Sequence, residues 1–116
     1  MIRSVGIFCG SSKGFNPQFE LASSLYASIL AQNRIRIIYG AGSTGIMGVV
    51  AESALRHNGY VIGVAPGFLN EKEVVHKNLN ELHIVENMFE RKALLINLSD
   101  AFAILPGGIG TLDEFF

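Results

Sequence analysis

The sequence predicts an α/β fold, a doubly wound parallel sheet, from three observations. Short β-branched runs alternate with longer stretches of helical spacing, the runs are almost continuously apolar, and glycine-rich turns follow several of them. Five strands are expected, at residues 4–9 ("SVGIFC"), 35–39 ("IRIIY"), 60–65 ("YVIGVA"), 82–86 ("LHIVE") and 101–106 ("AFAILP"). Continuous apolarity is what a strand buried on both faces requires. Helices are expected at 17–32, 45–58 and 88–98, the first opened by Asn16-Pro17, a capping residue followed by proline at the first helical position. Residues 66–81 are polar, show no clear period and exceed an ordinary connection, which marks a functional loop. Right-handed crossovers then close the sheet most simply in the order 3-2-1-4-5, a Rossmann-like arrangement with ligands beyond the carboxyl ends of its strands.

Composition narrows the function. A chain of 116 residues holds one domain, and 49% hydrophobic against 16% charged residues with 13 glycines is a globular composition. The formal charge is −1 and the longest basic cluster is Arg91-Lys92, so neither nucleic acid nor an anionic membrane is an expected partner. Small molecules or copies of the chain are. The single cysteine, Cys9, reads as a small buried thiol, and the opening "MIRSVGIFCG" is too short in apolar residues for a secretion signal, which together suggest the cytoplasm. His57, His76 and His83 lack metal-ligand spacing and read as surface or loop residues, so no metal site is expected.

The turns carry the chemistry. "CGSSKG" and "GAGSTGIMG" bring hydroxyls and backbone N–H groups to helix starts, where anions bind. The second includes Gly40-x-Gly42-x-x-Gly45, the dinucleotide spacing, but it follows the second strand, and the next strand ends in Ala65-Pro66 without a ribose-binding carboxylate. "PGGIGTLDE" lacks the Gly-Lys-Ser/Thr of a nucleoside-triphosphate loop. Thr111 and Glu114 have capping-box spacing, and spacing alone leaves Glu114 either a cap or a catalytic acid. Asn87 and Glu90 form a second such pair, putting Arg91 and Lys92 early in a helix, where the macrodipole disfavours cations unless an anion compensates.

Together, "FCGSS" (8–12), "YGAGSTGIMG" (39–48), "MFERK" (88–92) and "PGGIGTLDE" (106–114) resemble the Lonely Guy family of cytokinin-activating phosphoribohydrolases. The resemblance implies hydrolysis of the N-glycosidic bond of AMP or N6-substituted adenine nucleoside 5′-monophosphates to free base and ribose 5-phosphate. It makes Arg91 and Glu114 the expected catalytic residues, acting without metal or cofactor. It implies phosphate on the backbone of Gly108, Gly110 and Thr111, with Gly107 and Ile109 in the same turn. Glu73, Met88 and Lys92 would line the pocket, and Gly10, Ser11, Ser12, Gly42, Ser43 and Gly45 would complete its wall. Family members are usually dimers and are longer, so the resemblance implies a homodimer and a single nucleotide-binding domain, 1–116, that lacks the C-terminal part of the family fold. Ala41 stands where the family usually has glycine. The alternative from another class is a non-catalytic carrier of a nucleotide or phosphate-bearing cofactor, built on the same turns.

Overall fold

The computed structural model describes residues 1–9, 17–67 and 75–105. The elements run β1 (Ser4–Phe8), α1 (Pro17–Gln32), β2 (Arg36–Tyr39), α2 (Gly45–Arg56), β3 (Val61–Pro66), β4 (Glu81–Val85), α3 (Met88–Leu98) and β5 (Ala101–Ile104). All strand pairings are parallel.

Three layers follow from the period of two along the central strands. On one face, Val5, Ile7, Ile37, Tyr39 and Val61 meet Ala27, Leu30 and Ala31 of α1 and Ile46, Val50 and Ala54 of α2. On the other, Phe8, Ile38, Ile62 and Val64 meet Leu95 of α3, with Leu94, Leu98 and Val85 packed around them. Both helices on the first face end on a non-glycine residue in the left-handed region. Arg34 has φ 59° and Asn58 has φ 60°, and Ile35 N–H reaches back to Leu30 O and Gly59 N–H to Ala54 O to close the ends.

The order is β4-β3-β2-β1-β5, not 3-2-1-4-5. Both orders satisfy the handedness rule, so the choice rests on which free edge β4 takes. Asn80 takes it to β3: its N–H donates to Val61 O and its Oδ1 accepts from Val61 N–H, starting a register of Ile62↔Glu81 to Pro66↔Val85. With β4 at that edge, α3 carries the chain back across the sheet to the free edge of β1, where Val5↔Ala101 to Phe8↔Ile104 pair. Two consequences overturn expectations. As edge strands, β4 and β5 are only half covered, with Leu82, Ile84, Phe102 and Ile104 exposed, although their sequences are as apolar as the buried strands. Strands 4 and 5 are also not neighbours, so the starts of the segments that follow them lie at opposite sides of the sheet.

Candidate functional site

Among the described residues, one set of polar groups gathers at the carboxyl ends of β2 and β3, and the ends of β1 and β5 lie beside them in the sheet. The strand order reverses at β1, and Leu105 N–H donates to Phe8 O, so the chain leaves β1 after Cys9 and β5 after Leu105 from adjacent points. Next to them β2 runs into the turn Gly40-Ala41-Gly42-Ser43-Thr44, which ends at the start of α2.

Arg91 is the buried cation of this region. Asn87 caps α3 through its side chain, accepting from Glu90 N–H at 2.8 Å, while the Glu90 carboxylate accepts from Glu86 N–H at 2.8 Å, so the predicted capping pair forms. That start places Arg91 on the inner face of α3, where it is 4% exposed. Its Nε–H donates to Val64 O at 3.1 Å and Nη2 to Gly40 O at 2.9 Å. Arg91 is therefore no solvated surface charge. Carbonyl dipoles at the ends of β2 and β3 accept its hydrogens, which offsets its unfavourable place early in a helix. The reach of the side chain also compensates for the start of α3, which follows the edge strand β4. From Gly40, the end of β5 is two strand spacings away, about 10 Å.

The glycine turn has a steric logic. A Cβ at position 40 would collide with Nη2 of Arg91, and one at position 42 would lie 2.6 Å from Sδ of Met47. Gly45 opens α2 at φ 60°, and a Cβ on Gly48 would strike the Ser43 carbonyl, so the helix could not approach the turn. Ala41 has φ 67° and is fully buried, a backbone conformation in which glycine is at ease and alanine must be held. Three donors hold the three carbonyls. Arg91 takes Gly40 O, His76 N–H takes Ala41 O at 2.8 Å, and the Tyr39 hydroxyl takes Gly42 O at 2.8 Å. Burial, with the charges of Cys9 and Glu52 adding to it, pushes the Tyr39 phenol far above its ordinary range, so it remains a donor.

Of the predicted site residues, Gly42, Ser43, Gly45, Met88, Arg91 and Lys92 lie within the described structure. Ser43 and Met88 are exposed, and Gly42 and Lys92 are half-buried. Gly10, Ser11, Ser12, Glu73, Gly107, Gly108, Ile109, Gly110, Thr111 and Glu114 lie outside the described residues. His76, expected as a surface or loop residue, lies in a connection outside the helices and strands but is buried there, 6% exposed. Tyr39 and Glu52 were also missed as parts of the site. Tyr39 looked like any strand residue, and the partner of Glu52 lies 24 residues away. Among the described residues no group of three His, Cys, Asp or Glu side chains is arranged for a metal ion, and no helix is long and apolar enough to cross a membrane.

Fold and turn together define a Rossmann-type doubly wound domain. Solved structures agree on that fold. The molybdenum cofactor binding protein of Rippkaea orientalis superposes with TM-score 0.81 at 17% identity, over 99% of this chain and 69% of that one. The Moco carrier protein of Chlamydomonas reinhardtii gives 0.80 at 17%, over 98% and 68%. Residues 47–116 match the family described as possible lysine decarboxylase, and the chain belongs to that family, the Lonely Guy family. Its relatives include the cytokinin riboside 5′-monophosphate phosphoribohydrolase of Rhodococcoides fascians, 41% identical over 98% of this chain and 58% of the relative. One from Arabidopsis thaliana is 40% identical over 97% of this chain and 52% of its own length. The chain thus spans about half the length of these relatives.

Proposed function

We propose that this chain carries the nucleotide-binding and catalytic residues of a phosphoribohydrolase acting on AMP or N6-substituted adenine nucleoside 5′-monophosphates. The observation that carries the proposal is the identity, 41% over 98% of the chain, to a protein named for that activity. The geometry supports it with a fixed buried guanidinium beside a glycine turn at the strand ends. Phosphate would bind the backbone of Gly108, Gly110 and Thr111, with Glu73, Met88 and Lys92 around the nucleotide.

Breaking the bond between the anomeric carbon and the base nitrogen builds positive charge on the ribose. Glu114 would stabilise that charge and act either as nucleophile or as base toward water. The hydroxyl of water ends on the anomeric carbon and its proton on the departing base. Arg91, tied to Gly40 and Val64, would orient the carboxylate or the nucleotide. No step uses a metal. A homodimer in the cytoplasm completes the reading.

The test is to incubate the protein with AMP and separate the products by chromatography. Free adenine and ribose 5-phosphate are expected from AMP, with little reaction of adenosine, because phosphate binding positions the sugar. Chelator should leave the rate unchanged, and Glu114→Gln should lower it ~100-fold or more, the usual cost of losing a positioned acid or base. A second reading, a non-catalytic carrier, is suggested by the fold this chain shares with the molybdenum cofactor binding protein of Rippkaea orientalis and the Moco carrier protein of Chlamydomonas reinhardtii. Nucleotide that binds and stays intact would decide for the carrier.

A further inference from the structure

We propose that His76 is a positioning residue that latches the β3–β4 connection onto the glycine turn and keeps that turn in its ligand-ready shape. The inference rests on the phosphoribohydrolase reading for its kinetic consequences but not for its geometry.

His76 bonds in three directions. Its backbone N–H donates to Ala41 O at 2.8 Å, its Nδ1 accepts from Asn78 N–H at 3.1 Å, and its Nε2 lies 2.7 Å from Glu52 Oε1 on α2. The Asn78 contact assigns the tautomer. A backbone N–H can only donate, so Nδ1 is the acceptor, and the ring hydrogen sits on Nε2, facing the Glu52 carboxylate. An imidazole with side-chain exposure of 5% is thereby bonded at both nitrogens, while Glu52, at 61%, keeps most of its solvent.

The hydrogen bonds join the glycine turn, residues 76–78 and α2. Val75 bridges Gly42 in antiparallel fashion, and the next residue, His76, holds Ala41. Ala41 at φ 67° is a strained position for a residue with a Cβ, and such a conformation persists only where its surroundings enforce it. The bonds from residues 75 and 76 are that enforcement, and the ring on Glu52 anchors them to the helix that begins at Gly45.

The experiment compares His76→Ala, His76→Gln, Glu52→Ala and Glu52→Gln with the unmodified chain. Three quantities are read: kcat and KM on AMP, AMP affinity by calorimetry, and amide hydrogen exchange at residues 41–45. His76→Ala should raise KM and weaken AMP binding ~10-fold or more, since loosening a binding turn by a fraction of an ångström has effects of that size. Exchange at Ala41 to Gly45 should accelerate at least as much. His76→Gln, whose Nε2 can still donate to Glu52, should recover most of the loss. Glu52→Gln, which keeps an acceptor, should stay near the unmodified chain, and Glu52→Ala should follow His76→Ala. The double alanine variant should cost no more than either single one, as two ends of one interaction do.

A lower melting temperature for His76→Ala with unchanged KM, AMP affinity and exchange would reduce His76 to a general stability residue and overturn the proposal. A collapse of kcat at constant KM would also overturn it, by making His76 part of the reaction itself. If the chain binds AMP without hydrolysing it, the phosphoribohydrolase reading fails. Exchange and calorimetry then still decide the latch.

Discussion

Nη2 of Arg91 donates to Gly40 O at 2.9 Å and stands where a side chain on residue 40 would have to be. The glycine that begins the apparent dinucleotide pattern is there for an arginine 51 residues further along the chain. This pairing ties the turn after β2 to the start of α3 and links site geometry to stability.

Gly40→Ala is therefore expected to expel the guanidinium from its buried place. The cost should be about 2 kcal/mol or more, combining overpacking with disturbance of a buried charge. Urea unfolding measures it. A loss under about 0.5 kcal/mol, the range of an ordinary surface change, would mean that the arginine has another low-energy position.

Arg91→Lys keeps the charge but not the fork. One ammonium on a flexible stem cannot reproduce the planar arrangement that bonds Val64 O and Gly40 O together. We expect a loss of about 1–3 kcal/mol, the usual cost of unsatisfied buried polar groups, and a fall in AMP turnover alongside it. Full activity in the lysine variant would show that only the charge matters.

Ser23 offers a change in the opposite direction. It is 1% exposed in α1, and its hydroxyl has no hydrogen-bond partner among the described residues. Ser23→Ala removes a desolvated polar group and raises helix propensity, so the chain should gain about 1 kcal/mol. A urea midpoint that falls would reveal a partner for the hydroxyl.

Asp100 should contribute to acid sensitivity. Its carboxylate accepts from the N–H groups of Arg3 at 2.8 Å and Ser4 at 3.2 Å, and these bonds, the Arg3 one foremost, hold its pKa below the ordinary value. The folded pKa thus lies below the unfolded one. The stabilisation is fully present above the unfolded value, about pH 4, and is lost as pH falls through the folded value. Asp100→Asn should lower stability at pH 6 and change it little at pH 2, as measured by urea titration at both. Equal losses at the two pH values would refute this assignment.

How much of this was legible beforehand differs by element. α1 and α3 appear at 17–32 and 88–98 as expected, because a proline at the first turn of one and the Asn87–Glu90 pair at the start of the other are local signals. The end of α2 came two residues early, at Arg56, because Asn58 turns left-handed to close the helix, which asparagine permits without announcing it. The glycine spacing and the Arg91-Lys92 pair drew attention to the turn after β2 and the start of α3, which the structure joins through Arg91 and Gly40.

By itself the sequence determined what is local: the alternation of strands and helices, the glycine turn at the end of β2, and the motifs that carry the family. Periodicity, caps and turn residues act within a few positions, so they can be read without a fold. Only the tertiary structure decided that β4 joins β3 at the edge, that Arg91 is buried on Gly40 and Val64, and that His76 is anchored to Glu52. Those outcomes depend on hydrogen bonds between groups far apart in the chain. Which free edge a strand takes, and which polar group finds a partner when desolvated, is set by the whole packed arrangement rather than by any one segment.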